Sequence, residues 1–227
     1  MKKRKILIIA PHCDDEVLGC GGAISHFKDL NYDINVLILT NANKGDSQKY
    51  TTKEINKIRN ECKNANKYLG VNHTFFLDFP APNLDQYPIS KIADSIKNYI
   101  NKIEPLYVFI PFVGDAHIDH QIVYQASIVA LRPINKFKVK NIFCYETLSE
   151  TEWGDNLSRN NFVPNYFIPL KKSYLEKKIN AMKKYKSQIK KSPHPRSEDG
   201  IFNLAKLRGL SIGTNFAESY MVVRITL

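Results

Sequence analysis

The sequence predicts an α/β fold: a Rossmann-like three-layer arrangement with a mostly parallel sheet flanked by helices. Three observations point there. Apolar runs of strand length recur along the first two thirds of the chain, and segments of helical spacing alternate with them. The strand runs are apolar throughout rather than every second residue, as strands covered on both faces are.

Residues 5–10 and 34–40 are the first two such runs, rich in Ile, Leu and Val. Between them, residues 16–30 place Val17, Leu18, Ile24, Phe27 and Leu30 on one helical face. Strand, helix and strand of this length form a βαβ unit with parallel strands and a right-handed crossover. Residues 52–69 carry Ile55, Ile58, Cys62, Ala65 and Leu69 on one stripe, with Gly70 as a stop. A short strand at 73–77, a helix at 89–103 and a buried strand at 106–110 follow. A helix at 119–131, stopping before Pro133, and a strand at 141–145 continue the alternation.

From residue 148 the pattern changes. Residues 156–164 are polar and loop-like, 166–169 make a short strand, and 171–190 read as a long amphipathic helix. Pro193, His194, Pro195 and Arg196 break the chain. A helix at 199–208, capped by Ser197 and ended by Gly209, and an alternating strand at 219–226 complete it. With no repeat and no linker, one domain is expected over 1–227. Residues 148–227 are expected as a C-terminal elaboration packing near the active site.

The 227 residues are 43% hydrophobic and 24% charged, enough to build a core without disulfides or structural metal. Cys13, Cys20, Cys62 and Cys144 form no CxxC pair, which points to free thiols in a reducing, cytoplasmic setting. No window reaches the roughly 18 apolar residues of a membrane span. The opening MKKRKILIIA resembles a signal peptide in its first half. The polar His12–Glu16 stretch follows at once without a cleavage site, so a buried strand is the expectation.

Thirty-three Lys and Arg against 22 Asp and Glu give a net charge of +11. Three readings compete: nucleic-acid binding, attraction of an anionic small substrate, and a lysine-rich solvated surface. No nucleic-acid reading motif accompanies the charge, so no specific nucleic-acid partner is expected.

Ligands of open α/β sheets bind outside the carboxyl ends of the strands, and two His/Asp clusters fall there. Pro11-His12-Cys13-Asp14-Asp15-Glu16 follows the first strand, and His117-Ile118-Asp119-His120 follows the strand at 106–110. Paired aspartates before a helix often only cap it, and a lone HxDH is usually a surface loop. Two clusters at two strand exits are harder to attribute to chance. Two imidazoles and a carboxylate suit Zn²⁺ with a fourth position for water. The metal would acidify that water and polarise a carbonyl. A further carboxylate must accept the proton, and adjacent Asp14 and Asp15 can divide those tasks. The glycines at 19, 21 and 22 lack the GxGxxG spacing of a dinucleotide site, and close packing is the expected reason for them.

The first cluster, followed by Leu18-Gly19-Cys20-Gly21-Gly22, resembles the HPDDE signature of the PIG-L/LmbE-like zinc-dependent de-N-acetylases. The second resembles that family's HxDH signature, and residues 59–70 look like its Arg/Glu helix ending in Leu-Gly. The resemblance spans essentially the whole chain. It implies one Zn²⁺ per chain held by His12, Asp15 and His120, with Asp14 as general base. His117 would stabilise the oxyanion or protonate the leaving amine, and Asp119 would orient a neighbouring imidazole. Cys13 departs from the proline usual in the family. Arg59 stands two residues before Glu61, and no role is carried over to it.

The implied activity is removal of acetyl from an N-acetylated amino sugar or sugar conjugate, in which an anionic group such as a nucleotide is one option. For that group His194, Arg196 and Arg208 are candidate substrate-binding residues; a helix-start bend or an ion pair with Glu218 would be the structural alternatives. Trp153 would stack on a sugar or anchor its loop. A noncatalytic basic nucleic-acid-binding domain and a metal-dependent phosphoesterase are the rival functions, and a homo-oligomer is left open. Phosphoesterase sites commonly use two metals, and these ligands suffice for one.

Overall fold

The computed structural model describes residues 3–155 and 161–226. Its strands are β1 Lys5–Ala10, β2 Asp33–Asn41, β3 His73–Pro80, β4 Tyr107–Ile110, β5 Asn141–Tyr145, β6 Tyr166–Pro169 and β7 Ala217–Ile225. Its helices are α1 Asp15–Asp29, α2 Ala42–Gly45, α3 Thr52–Leu69, α4 Ile89–Ile103, α5 Ile118–Ala130, α6 Lys172–Met182 and α7 Glu198–Leu210, with a 3-10 turn at Asn83–Gln86. The strands make one sheet in the order β3-β2-β1-β4-β5-β7-β6. The first five are mutually parallel, and β7 runs antiparallel to both β5 and β6. The expected three-layer, mostly parallel fold is the observed one.

Alternation within β1 shows why its residues are all apolar. Ile6, Ile8 and Ala10 face the core layer shared with α1, α3, α6 and α7, while Leu7 and Ile9 face the layer under α4 and α5. The helix at 52–69 starts on a reciprocal capping box between Thr51 and Glu54 and stops at Gly70, whose φ of 91° favours glycine. Gly19 lies where close packing was expected: a Cβ there would stand 2.3 Å from the Tyr145 ring.

Several boundaries differ from expectation. The strand at 73–77 continues to Pro80, because Phe79 and Pro80 pair with Thr40 and Asn41 after a register shift. The helix starting at Glu198 runs one residue beyond Gly209. The helix expected over 171–190 ends at Met182. Beyond it, Lys184 and Tyr185 donate to the carbonyls of Ala181 and Met182 in tight turns. Tyr185 is fully buried, and its hydroxyl donates to Glu16. The lysines of 183–191 thus follow a turning chain, not one face of a helix. The polar stretch expected at 156–164 lies outside the described residues over 156–160. No described helix is long and apolar enough to cross a membrane.

Candidate metal centre

In the sheet, β1 is the point where chain order reverses, with β2 on one side and β4 on the other. Such a switch point opens a crevice beyond the strand ends. Because Ile8 pairs with Phe109, the residues leaving β1 and β4 emerge side by side. This brings His12–Asp15 against Asp115–His120. Asp15 opens α1, and His117 is the N-cap of α5, with Asp119 and His120 in its first turn. Helix N-termini favour the negative charge of both aspartates.

Around Asp15 the two histidines converge. Its Oδ2 lies 3.4 Å from His12 Nδ1 and 3.2 Å from His120 Nε2, and accepts the His12 backbone N–H at 2.8 Å. The far nitrogen of each ring is held by another carboxylate. Asp119 Oδ2 is 3.1 Å from His12 Nε2, and Asp115 Oδ2 is 2.8 Å from His120 Nδ1. Asp115 is itself fixed by the Thr151 hydroxyl at 2.6 Å. This is the carboxylate–imidazole arrangement that sets ring orientation at metal sites.

Asp15 Oδ1 is buried without a hydrogen-bond partner, a cost a native core rarely leaves uncompensated. The ligand atoms of His12, Asp15 and His120 lie within 4.8 Å of one another. An orphaned carboxylate oxygen beside two oriented imidazoles fits a divalent cation of the Zn²⁺ kind. His12, His117 and Asp119 form a second group of similar spread. There, however, His12 Nε2 is already bonded to Asp119, and His117 Nδ1 accepts the Asp119 backbone N–H at 3.1 Å. The first group has the better claim.

Burial disfavours charge at each of these groups; neighbours overcome it at three and not at the other two. For Asp15, burial is outweighed by His120 and His12, which hold the carboxyl well below its usual range. For His12, burial is outweighed by hydrogen bonds to Asp119 and Asp15, which raise it to about 9. His120 rises on the same balance, through Asp15 and Asp115. Asp14 goes the other way: burial pushes it up to about 8 despite Arg196. His117 is lowered to about 4, by burial and then by its neighbour His12.

A cavity of about 270 Å³ opens over this cluster. His12, Cys13, Asp14, His117, Glu150, Gln188 and Arg196 line its polar end. Tyr50, Ile55, Ile58, Ala81 and Pro82 form an apolar wall, with Arg59 beside them. Asp14 occupies the N-cap position of α1, yet its side chain caps nothing. Its φ of 106° is strained for a non-glycine residue, and its carboxylate accepts Arg196 Nη1 at 3.0 Å. Simple helix capping therefore does not account for the aspartate pair.

The three candidate substrate-binding residues part company. Arg196 lines the cavity. His194 stands beside it: its Nδ1 accepts the Arg196 backbone N–H at 3.1 Å, and its ring meets Trp153 edge-on at 5.6 Å. Arg208 is not among the cavity residues. It grips Glu146 with two hydrogen bonds of 2.9 and 2.6 Å. Glu218, the partner considered for an arginine, pairs with Lys178 instead. Arg59 donates to the Leu77 carbonyl and to Asp78 at the cavity edge. Asp115, Glu150 and Gln188 escaped the sequence reading. Asp115 carried one usable signal, a carboxylate between a strand exit and HxDH.

Fold and site together define an α/β protein with a candidate metal centre at the switch point of its sheet. The sequence model of the GlcNAc-PI de-N-acetylase (PIG-L) family matches residues 7–131, and the chain belongs to that family. The uncharacterized deacetylase YaiS of Escherichia coli K12 is 34% identical over 190 residues, covering 82% of this chain and 92% of that protein. Diacetylchitobiose deacetylase of Thermococcus kodakarensis is 24% identical, over 97% of this chain and 83% of that protein. In three dimensions, N,N′-diacetylchitobiose deacetylase of Pyrococcus horikoshii superposes with a TM-score of 0.78 at 21% identity, over 98% of this chain and 84% of that one.

Proposed function

We propose that this chain is a zinc-dependent N-deacetylase that hydrolyses the acetamide of an N-acetylated amino sugar or sugar conjugate. The observation that carries the reading is the buried Asp15 carboxylate, whose Oδ2 meets the rings of His12 and His120 while its Oδ1 has no partner, with His12 also lining a cavity of about 270 Å³. Family membership gives deacetylation as the reaction class. The names of the two diacetylchitobiose deacetylases suggest amino sugars as substrates.

In this reading His12, Asp15 and His120 hold the ion. A zinc ion held there would supply Lewis acidity toward a water and the acyl carbonyl. Asp14 accepts the water's proton and returns it to the departing amine, so that acetate and the free amino sugar leave. Asp14 lines the cavity beside His12 and His117, which places it for that exchange. His117 is neutral, and with Nδ1 accepting the Asp119 N–H its ring proton sits on Nε2. It can therefore donate to the developing oxyanion, which favours that role over proton delivery to the amine. Asp119 and Asp115 keep the rings of His12 and His120 in their tautomers.

The test is acetate release by zinc-loaded protein from N-acetyl sugars, alongside zinc analysis. Turnover with zinc near one per chain, lost in chelator, is the expected result. Full activity in chelator, or phosphate release in place of acetate, would sink the reading.

A further inference from the structure

Arg196 reaches the site from a position 182 residues beyond the carboxylate it meets. Its Nη1 donates to Asp14 Oδ2 at 3.0 Å and to Gln188 Oε1 at 3.4 Å. Its Nη2 donates to Glu150 Oε1 at 3.1 Å, and its Nε to Ser149 Oγ at 2.6 Å. A guanidinium has five N–H donors, so one remains. An arginine that captures a phosphate or carboxylate does so with a paired edge, and no such edge is left here. The carboxyl groups of Asp14 and Glu150 already occupy both terminal nitrogens.

Asp14, for its part, depends on this contact. Among the described residues no other group donates to its carboxylate, and its strained backbone gives it no helix cap to lean on. Ser149, which fixes Nε, also sits at a strained φ of 70°. Strain at both ends of one hydrogen-bonded chain marks a geometry that the surrounding fold imposes.

We propose that Arg196 is a positioning residue, which aims the Asp14 carboxylate into the cavity and is itself held by Ser149, Glu150 and Gln188. The proposal rests on the reading of Asp14 as the base. It replaces the expectation that Arg196 binds an anionic part of the substrate.

The experiment uses the full-length zinc-loaded protein and the N-acetyl sugar that the wild type hydrolyses. Arg196→Ala should lower kcat about 10- to 100-fold, the scale of a misplaced reacting group, with KM and zinc content unchanged. Added guanidinium ion should restore part of kcat, and Arg196→Lys should fall between. Decisively, the Asp14→Asn/Arg196→Ala double variant should be no slower than Asp14→Asn alone, since Arg196 acts only through Asp14. If Arg196→Ala does not fold, Arg196→Lys carries the same comparison. A raised KM with kcat preserved, wild-type kinetics, or losses that multiply in the double variant would overturn the proposal while leaving the base assignment standing. Full turnover by Asp14→Asn, or none by the wild type, would instead overturn the base reading, and the proposal with it.

Discussion

Two ionic clusters tie the C-terminal third of the chain to α1, and they differ in what they face. At the start of α1, Arg196 joins Asp14 and Glu150 on the wall of the cavity. Further along the same helix, against Gly22 and Ala23, Glu218 of β7 is sealed in the core. It accepts Lys178 Nζ at 2.7 Å, the backbone N–H groups of Gly22 and Ala23 at 2.8 and 2.7 Å, and the Tyr220 hydroxyl at 2.8 Å. The Lys178 and Glu218 side chains are 4% and 5% exposed. The residue chemistry is nearly the same in both, so access to the cavity is the difference on which the proposed division between reaction and fold rests. Substitutions at the open cluster and at neighbouring Asp15 should change turnover; those at the sealed cluster should change stability.

The largest effect is expected at Asp15. In Asp15→Ala the two imidazoles lose the carboxylate they share, and zinc analysis should find no bound metal and turnover at background. Asp14→Asn should divide those properties, keeping its zinc while losing about 10²- to 10⁴-fold in kcat, as removal of a general base does. If Asp14→Asn loses its metal and Asp15→Ala keeps it, the two roles are reversed.

The sealed cluster should respond in the opposite currency. Lys178→Met leaves the Glu218 carboxylate buried with its three remaining donors, and breaking a buried pair in this way costs about 3–5 kcal/mol. Urea unfolding should show that loss, while zinc content and kcat per folded molecule stay at wild-type values. A kcat that fell in proportion to stability would dissolve the distinction between the clusters.

Much of this architecture was legible because its signals are local. The apolar runs that became β1, β2 and β5 carry their identity within a few residues, and so does the stripe from Ile55 to Leu69. His12, Asp15 and His120 were legible because each motif is contiguous and a parallel sheet aligns its strand exits. Asp115 carried only its place between a strand exit and HxDH, which by itself does not separate a histidine's partner from a solvated turn. The helix at 171–190 was overextended because lysine spacing persists after Met182. What turns the chain is Tyr185, whose partner Glu16 lies 169 residues away. The arginines show the limit most clearly. Arg196 and Arg208 look alike in sequence, and only contacts with Asp14 and Glu146, 182 and 62 residues distant, assign one to the cavity and the other elsewhere.

Arg208 therefore gives the smallest expected effect and the sharpest check on that division. Its guanidinium meets Glu146 through Nε and Nη2, and Glu146 also accepts the Ser219 hydroxyl at 2.7 Å. Both side chains are mostly buried, at 20% and 11% exposure. Arg208→Ala should therefore cost about 1–3 kcal/mol, the range for leaving one buried partner of a hydrogen bond unsatisfied, softened here by the Ser219 contact that survives. Because Arg208 does not line the cavity, kcat/KM should stay within about twofold of wild type, for neutral N-acetyl sugars and for phosphorylated or nucleotide-linked ones alike. Twofold corresponds to about 0.4 kcal/mol in the barrier, well below the stability change, so one variant can show both results. A loss of kcat/KM confined to the anionic substrates would return Arg208 to substrate binding. It would also mean that the boundary between the two clusters, as their contacts draw it, does not follow function.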